Sequence, residues 1–284
     1  MRLVRAAPAS GCSTSQLCKS ASTALTRSSH SLRRLHSASL PTHSQQHPRT
    51  SLATSAMSTS TAPAATSLEP VFVRKQFGGV NRRFKFTSST LGCPTTFTVY
   101  FPPAAEAGKA VPVLFFLSGL ECSDTNFIEK AGAQRRASEL GLAIVTMDTS
   151  PRGMGVAGES DSWDFGVGAG FYVNATQGKW KNWQMFDFVT KQFSGASRFL
   201  CEARGNSLVG MFPLAVAPPC IMVDTGSADP FLASQLRPEA LEAAAKERDF
   251  PIQSRLLEGY DHSYYFISTF IDEHLTFHAK ALGL

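Results

Sequence analysis

The sequence predicts an α/β domain that is built on a doubly wound, mostly parallel β-sheet. Segments typical of strands alternate with segments typical of helices from residue 95 onward, and this alternation indicates parallel strands joined by helices. Residues 111–117 and 142–147 are short, continuous apolar runs, as expected of strands that are covered on both faces. Residues 1–68 show neither pattern, so the prediction applies to one domain over residues 69–284.

Four elements are predicted in the first half of the domain. Residues 95–101 (TTFTVYF) alternate and are rich in β-branched and aromatic side chains, which indicates a strand. The apolar runs 111–117 (VPVLFFL) and 142–147 (LAIVTM) predict two buried strands. Between them, residues 127–140 show helical spacing and predict a helix that ends at Gly141, a residue suited to a left-handed helix terminus.

Five further elements are predicted in the second half. Residues 183–193 (WQMFDFVTKQF) favour an amphipathic helix, and residues 220–223 (CIMV) favour a short strand. A helix over 238–249 begins with a proline, which suits a first turn. A strand over 252–257 and a long helix over 263–282 complete the domain. In such sheets, catalytic residues lie on loops at the carboxyl ends of the strands.

Residues 1–68 have the composition of a disordered leader. They contain seven Lys or Arg, 25 Ser or Thr, no acidic residue and no aromatic residue, so they carry too little apolar surface to offset the entropy of ordering. An Arg-rich, Ser-rich, acid-free segment is typical of a transit peptide and predicts a mitochondrial or plastid location. The alternative is that translation starts at Met57, which predicts a cytoplasmic protein.

The charge and cysteine patterns exclude several classes of protein. Residues 69–284 carry 20 basic and 22 acidic groups, so the domain has no broad basic face for nucleic acid. No run of 18 apolar residues occurs, which argues against a membrane-spanning helix. The six cysteines include no C-x-x-C pair and suggest neither a disulfide framework nor a zinc site, so we expect no metal.

His262 and Asp229 are the candidate catalytic base and its partner. His262 follows the predicted strand 252–257, where a general base is expected, although a histidine that caps the next helix is the alternative. Asp229 lies in the loop after the strand 220–223, and an acid that orients a catalytic histidine comes from such a loop. A turn-forming Asp before Pro is the alternative. Asp224 competes for the role but is expected to cap the turn.

Two other sets of residues are expected to have structural roles. His274 and His278 are four residues apart on the closing helix, but they lack a third ligand and are expected to interact with the helix macrodipole. The glycine run 166–170 follows no strand, so it fails the context test for a dinucleotide-binding loop.

The turn after the strand 111–117 is a candidate oxyanion-binding element. Its sequence, Ser118-Gly-Leu120, contains a glycine, and such a turn can direct backbone N–H groups at a developing negative charge. Cys122 lies close by, either as a small packing residue or as a reactive thiol beside the site.

Four stretches resemble one known family. They are LSGLECSDTNF at 117–127, DTSPRG at 148–153, ESDSWDFGVGAGFY at 159–172 and EGYDHSYYF at 258–266. They closely resemble the S-formylglutathione hydrolase (esterase D) family, and the likeness runs from about residue 77 to 192 and again from about 220 to the C-terminus.

The resemblance implies an α/β-hydrolase fold and a Ser-His-Asp triad that hydrolyses S-formylglutathione to glutathione and formate. Asp229 and His262 match the triad acid and base, and the backbone N–H of Leu120 matches one oxyanion donor. No metal or organic cofactor is implied, and a homodimer is expected. Trp163 and Phe171 are candidates for walls of the substrate site, although core packing is the more common role for such side chains.

The chain departs from the family at the nucleophile. The family carries its serine in Gly-His-Ser-Met-Gly-Gly, whereas this chain contains no G-x-S-x-G. The nearest string, residues 205–210, offers Ser207 as a weak nucleophile candidate but has Val209 where the elbow requires glycine. Residues 193–219 do not resemble the family, and Ser207 lies too few residues before Asp229 for the βα units that the fold needs there.

We therefore expect that several dozen residues, including the nucleophile, are missing from this chain. A skipped exon or an intron retained in the gene prediction would produce this gap. The chain as written is then expected to fold poorly and to be inactive, while its full-length counterpart is a thioesterase. The alternatives are a broad carboxylesterase acting on small acyl esters, and a binding or regulatory relative that has lost the nucleophile.

Overall fold

The computed structural model describes residues 67–193 and 220–284. The strands are β1 (Glu69–Gln76), β2 (Gly79–Thr87), β3 (Pro94–Phe101), β4 (Val113–Phe116), β5 (Ala143–Met147), β6 (Ile221–Gly226) and β7 (Ile252–Leu257). The helices are α1 (Pro103–Glu106), α2 (Asp124–Lys130), α3 (Gln134–Leu140), α4 (Met185–Asp187), α5 (Pro238–Glu247) and α6 (Tyr264–Ala281). Within these residues, no helix is both long enough and apolar enough to cross a membrane.

The described strands form two sheets. The first has the order β1-β2-β3-β5-β4, in which the first three ladders are antiparallel and β4 pairs parallel with β5. The second consists of β6 and β7, which are parallel and pair Asp224 with Arg255 in register. The parallel pairs are the ones that precede the candidate site loops, and the antiparallel strands form a meander at the N-terminal edge.

The hairpin β1–β2 was absent from the sequence prediction. Its second strand contains adjacent arginines, Arg82 and Arg83, which hide the apolar alternation of a strand. The structure pairs Arg82 with Glu106 and Arg83 with the buried Asp124. These ion pairs bring the charged side chains into the fold, and a local sequence pattern does not report partners that lie 24 and 41 residues away.

The helix predicted over 127–140 is two helices. Ser123 caps α2 by accepting a hydrogen bond from a backbone N–H, and Asn126 completes a capping box, so the helix begins earlier than predicted. Gly132 adopts a φ of 70° and separates α2 from α3. Gly141 has a φ of 69° and ends α3, which confirms the predicted left-handed terminus.

The helix predicted over 183–193 also takes a different form. The chain makes one short α-helical segment, α4, and continues as a π-helix over Phe188–Phe193. The wider turn lets both Phe188 and Phe193 reach the core, where their rings pack edge to face with centroids 5.0 Å apart.

Apolar clusters cover both faces of the first sheet. One cluster joins alternate residues of β5, Val145 and Met147, to the aromatic side chains around Phe97. The other joins Ile144 of the same strand to Phe127 of α2 and to α6. This arrangement confirms that the apolar run over 142–147 is a strand buried on both faces.

The two described sheets are connected through α6. Ile271 and Leu275 pack into the same cluster as Phe127, and Arg136 of α3 donates a hydrogen bond to Thr276 over 3.2 Å. Within the described residues, β4 pairs only with β5, and β6 pairs only with β7. In the described part of the chain, β4 is therefore an edge strand of the first sheet and β6 is an edge strand of the second, and all four apolar residues of β4 are only half-buried.

Candidate functional site

Three loops at the carboxyl ends of parallel strands carry the candidate site. The first follows β4 and spans residues 117–123, the second follows β6 and spans 227–231, and the third follows β7 and spans 258–263. All three positions match the sequence prediction, which placed the catalytic residues on loops that follow the carboxyl ends of the strands.

Asp229 and His262 form a hydrogen-bonded dyad. The distance from His262 Nδ1 to Asp229 Oδ2 is 2.8 Å. The Asp229 side chain is only 4% exposed, and its second oxygen accepts the backbone N–H of Phe231 over 2.8 Å. Because a carboxylate only accepts, Nδ1 carries the proton and Nε2 is left as the acceptor. The His262 ring is 57% exposed, so Nε2 is accessible to a reacting group.

Close backbone contacts between the two loops hold the dyad in place. Ala228 N–H donates to the Tyr260 carbonyl over 2.9 Å, and Ser227 N–H donates to Leu257 over 2.9 Å. A Cβ atom at Gly226 would lie 2.2 Å from the Tyr260 carbonyl oxygen, so only glycine permits this approach. The sequence analysis missed this role of Gly226, although a glycine three residues before the candidate acid is the visible signal.

Asp224 does not compete for the histidine. It lies within β6 rather than capping a turn, so the predicted cap is wrong. Both of its oxygens bind Arg255, at 2.7 and 2.5 Å, and His274 Nε2 lies 3.1 Å from one of them. The same contact gives His274 a partner other than the helix macrodipole. Among the described residues, no group of three His, Cys, Asp or Glu could hold a metal ion.

The Asp224 cluster predicts an acid-sensitive contribution to stability. Burial raises the pKa of Asp224, but hydrogen bonds from Arg255 and His274 outweigh it, and the net pKa lies below the ordinary value of 3.8. A carboxyl group with a lowered pKa stabilises the fold above its unfolded-state pKa, and this contribution is lost as the pH falls through the folded-state pKa.

In the full-length protein, Asp224→Asn is therefore expected to lower the free energy of unfolding at pH 7 and to lower it less at about pH 3. Urea titrations at both pH values measure the loss. Glu129→Gln is the control, because Glu129 is an exposed carboxylate 4.0 Å from the exposed Arg74, and its loss is expected to have little effect at either pH. A loss for Asp224→Asn that is equal at both pH values would contradict the prediction.

The turn after β4 presents the backbone N–H of Leu120. The turn is closed by a hydrogen bond from Cys122 N–H to the Gly119 carbonyl, and Glu121 has a φ of 60°. Glu121 N–H donates to the Gly168 carbonyl over 2.6 Å. In the part of the chain that the structure describes, the Leu120 N–H donates to no protein acceptor, as the assignment of an oxyanion donor requires.

The glycine run 166–170 packs against this turn, a role that the sequence analysis missed. Gly166, Gly168 and Gly170 all have positive φ, between 68° and 76°. A Cβ atom at Gly170 would lie 3.1 Å from Leu120 N. The glycine run, which fails the context test for a dinucleotide loop because no strand precedes it, is thus the signal of a backbone that approaches another backbone closely.

An aromatic cleft of about 270 Å³ borders the glycine run. Phe165, Phe171, Trp180 and Trp183 are among the side chains that line it. Phe171 is 52% exposed and Trp163, which does not line the cleft, is 58% exposed, so neither side chain is packed in a core of the described residues.

Cys122 is a half-buried free thiol beside the turn. Its Sγ lies 4.0 Å from the hydroxyl of Tyr264, at the start of α6. This contact links the candidate oxyanion turn to the helix that follows the His262 loop. Burial raises the pKa of Tyr264 well above its ordinary value, so the phenol is neutral at physiological pH.

The candidate nucleophile lies outside the described residues. Ser207 and all but the first residue of the stretch 193–219 fall in the gap between 193 and 220. The structure therefore brings together Asp229 and His262, and it leaves the position of a nucleophile open.

Comparison with known proteins gives the family. The model of the Esterase family, described as "Putative esterase", matches residues 88–217 and 219–277. The S-formylglutathione hydrolase of Arabidopsis thaliana is 41% identical over 283 aligned positions, which cover 78% of this chain and 100% of that enzyme. The chain belongs to the S-formylglutathione hydrolase family.

Two further relatives agree. The S-formylglutathione hydrolase of Mus musculus is 36% identical over 281 positions, covering 76% of this chain and 99% of the mouse enzyme. The structure of an S-formylglutathione hydrolase from Agrobacterium tumefaciens matches with a TM-score of 0.64 and 32% identity, covering 75% of this chain and 99% of that one. The domain thus has the α/β-hydrolase fold that the sequence predicts.

The alignments are longer than the part of the chain that they cover. Because 78% of 284 residues is about 220, roughly 60 of the 283 positions aligned with the Arabidopsis enzyme face no residue of this chain. The family model is matched in two pieces that meet at residue 218, between the described segments.

Proposed function

We propose that the product of this gene hydrolyses S-formylglutathione to glutathione and formate through a Ser-His-Asp mechanism. The observation that carries the proposal is the 2.8 Å hydrogen bond between His262 Nδ1 and Asp229 Oδ2, on the two loops where the fold places the acid and the base. The curated relatives that bear the name S-formylglutathione hydrolase support the choice of substrate.

His262, Asp229 and Leu120 then have defined roles in acyl transfer. His262 Nε2 removes the proton from the serine hydroxyl as the oxygen attacks the thioester carbonyl. Asp229 keeps the imidazole oriented and stabilises its cation, while the Leu120 N–H donates to the oxyanion of the tetrahedral intermediate. The C–S bond breaks, and His262 gives the proton to the departing glutathione sulfur. Water, activated by the same imidazole, then hydrolyses the formyl ester of the serine.

The serine itself belongs to a segment that we propose is missing from this chain. Two observations support this: the roughly 60 unmatched positions of the relatives, and the open edges of β4 and β6 within the described sheets. Strands that join the two sheets would cover the half-buried apolar residues of β4 and would place a nucleophile elbow between the Leu120 turn and the His262 loop. Ser207 is the alternative nucleophile.

The location and assembly of the protein are also proposals. A transit peptide within residues 1–68 places it in mitochondria or plastids, and a start at Met57 places it in the cytoplasm. A homodimer is the assembly that we expect, with neither nucleic acid nor membrane as a partner.

The test compares two purified proteins that begin at Met57. One has the present sequence and the other has the reading frame recovered from cDNA. The measurement is the loss of thioester absorbance as S-formylglutathione is hydrolysed. We expect this loss only with the second protein. Activity of the present sequence that depends on Ser207 would overturn the missing-segment proposal.

The same preparation distinguishes the candidate activities. A thioesterase prefers S-formylglutathione over an aryl acetate, whereas a broad carboxylesterase turns over the aryl acetate at least as well. A folded cDNA-encoded protein that hydrolyses neither substrate would favour the binding or regulatory relative.

A further inference from the structure

The oxyanion turn has a backbone that is not stable on its own. Glu121 has a φ of 60°, in the left-handed region that residues other than glycine rarely adopt. The turn hydrogen bond from Cys122 N–H to Gly119 is long, at 3.3 Å. Contacts from outside the turn must therefore keep the Leu120 N–H pointing in one direction.

The loop after β5 supplies two of these contacts, in addition to the hydrogen bond from Glu121 N–H to the Gly168 carbonyl. The Thr149 hydroxyl donates to the Cys122 carbonyl over 2.6 Å, and Arg152 Nη2 donates to the same oxygen over 2.8 Å. This carbonyl belongs to the peptide group that directly follows the turn in which Leu120 lies, so fixing it anchors the C-terminal end of the turn. At the other end of the turn, the Tyr172 hydroxyl donates to the Ser118 carbonyl over 2.7 Å.

Asp148 fixes both donors. Its carboxylate accepts Arg152 Nε with both oxygens, at 2.8 and 2.9 Å, and accepts the Thr149 backbone N–H over 2.8 Å. The Asp148 side chain is 10% exposed, and the Thr149 side chain is buried. The loop is thus a rigid, hydrogen-bonded unit rather than a surface connection.

We propose that Thr149 and Arg152 are positioning residues for the oxyanion donor. Acting through the Cys122 carbonyl, they hold the strained turn in the conformation that presents the Leu120 N–H to the reacting carbonyl. Neither residue touches the substrate. The inference rests on the proposed function, because Leu120 has a catalytic role only if the protein hydrolyses an acyl compound.

Thr149→Val tests the proposal with a nearly unchanged side-chain volume, and all the variants are made in the protein encoded by the full-length cDNA. An oxyanion contact acts in the transition state and not in the bound substrate, so kcat is expected to fall while KM changes less than about twofold. Loss of a whole oxyanion donor costs about 10²- to 10³-fold in kcat, so displacement of the donor is expected to cost about 10-fold or more. Thr149→Ser keeps the hydroxyl and is expected to restore kcat, and Arg152→Lys is expected to behave like Thr149→Val.

Thr146→Val is the matched control. Thr146 is also buried, and its hydroxyl also donates to backbone carbonyls, those of Thr98 and Asp124, but it does not contact the oxyanion turn. It is expected to lower stability and to leave kcat within about twofold. An equal loss of kcat in Thr146→Val and Thr149→Val, or a rise of KM in place of a fall of kcat, would overturn the proposal.

Hydrogen exchange gives a second result that does not need activity. The amide of Glu121 donates to the Gly168 carbonyl and that of Cys122 to the Gly119 carbonyl, so a peptide spanning 117–123 is expected to exchange faster in Thr149→Val than in Thr146→Val. Unchanged exchange in this peptide would overturn the positioning role. If the wild-type protein is inactive but the exchange difference is as expected, the proposed function is wrong. The conclusion that Thr149 holds the turn in place would still be supported.

Discussion

Asp229→Asn in the protein encoded by the full-length cDNA is expected to lower kcat for S-formylglutathione by about 10⁴-fold, the loss that this change causes in serine hydrolases. Asp229 accepts a hydrogen bond from His262 Nδ1 over 2.8 Å, and its other oxygen is occupied by the Phe231 N–H. An amide in its place can donate to Nδ1, which moves the imidazole proton to Nε2. The nitrogen that must accept the serine proton is then blocked.

The prediction also separates two carboxylates that lie close together in sequence. Asp224 lies within β6, five residues before Asp229, and it is held by Arg255 and His274. Asp224→Asn is expected to lower stability and to leave kcat within about 10-fold at a temperature where the variant is folded. Steady-state kinetics and circular dichroism of both variants supply the measurements. A larger loss of kcat for Asp224→Asn than for Asp229→Asn would contradict the assignment of the dyad.

The sequence was sufficient for the parts of the fold that local patterns determine. The strands β4 and β5 are continuous apolar runs, and Gly141 ends α3 because a left-handed terminus favours glycine. The hairpin β1–β2 could not be predicted in this way. The charge of Arg83 is matched by Asp124, 41 residues away, and a single sequence carries no sign of such a pairing.

In the candidate site, too, some features follow from local sequence patterns and others depend on contacts between distant residues. Asp229 and His262 could be predicted because each follows a recognisable strand and the chemistry limits the residue types. The contact from Arg152 to the Cys122 carbonyl could not, since it joins a side chain to a backbone atom 30 residues away. The glycines 166–170 were visible in the sequence, but the close approach that explains them is a property of the folded backbone.

Asp124→Asn is expected to cost about 3–5 kcal/mol of unfolding free energy in the full-length protein, the range for breaking a buried ion pair on one side. Asp124 is fully buried at the start of α2. Arg83 donates to both of its oxygens at 2.9 Å, and the hydroxyls of Thr96 and Thr98 donate at 2.8 and 2.6 Å. The amide would leave the Arg83 charge without its partner and would direct an N–H group at these donors.

Glu106→Gln is the control for this change. Glu106 binds Arg82, which directly precedes Arg83 in β2. Both side chains are partly exposed, Glu106 at 27% and Arg82 at 21%. A pair in contact with water is worth at most about 1 kcal/mol. Urea unfolding of the two variants is expected to differ by about 2 kcal/mol or more at equal m-values. Equal losses of unfolding free energy in the two variants would show that Asp124 contributes no more to stability than a charge at the surface.

A double-mutant cycle between Arg83 and Asp124 distinguishes the ion pair from the rest of the network. If the cost of Asp124→Asn comes chiefly from the stranded guanidinium, removing that charge as well with Arg83→Leu recovers part of the loss, and the double variant is more stable than the sum of the single losses implies. If the cost comes chiefly from the hydrogen bonds of Thr96 and Thr98, the losses of unfolding free energy in Asp124→Asn and Arg83→Leu are additive. Arginine stays protonated at neutral pH even without a carboxylate partner, so the charge persists in the Asp124→Asn variant, and we expect the first outcome.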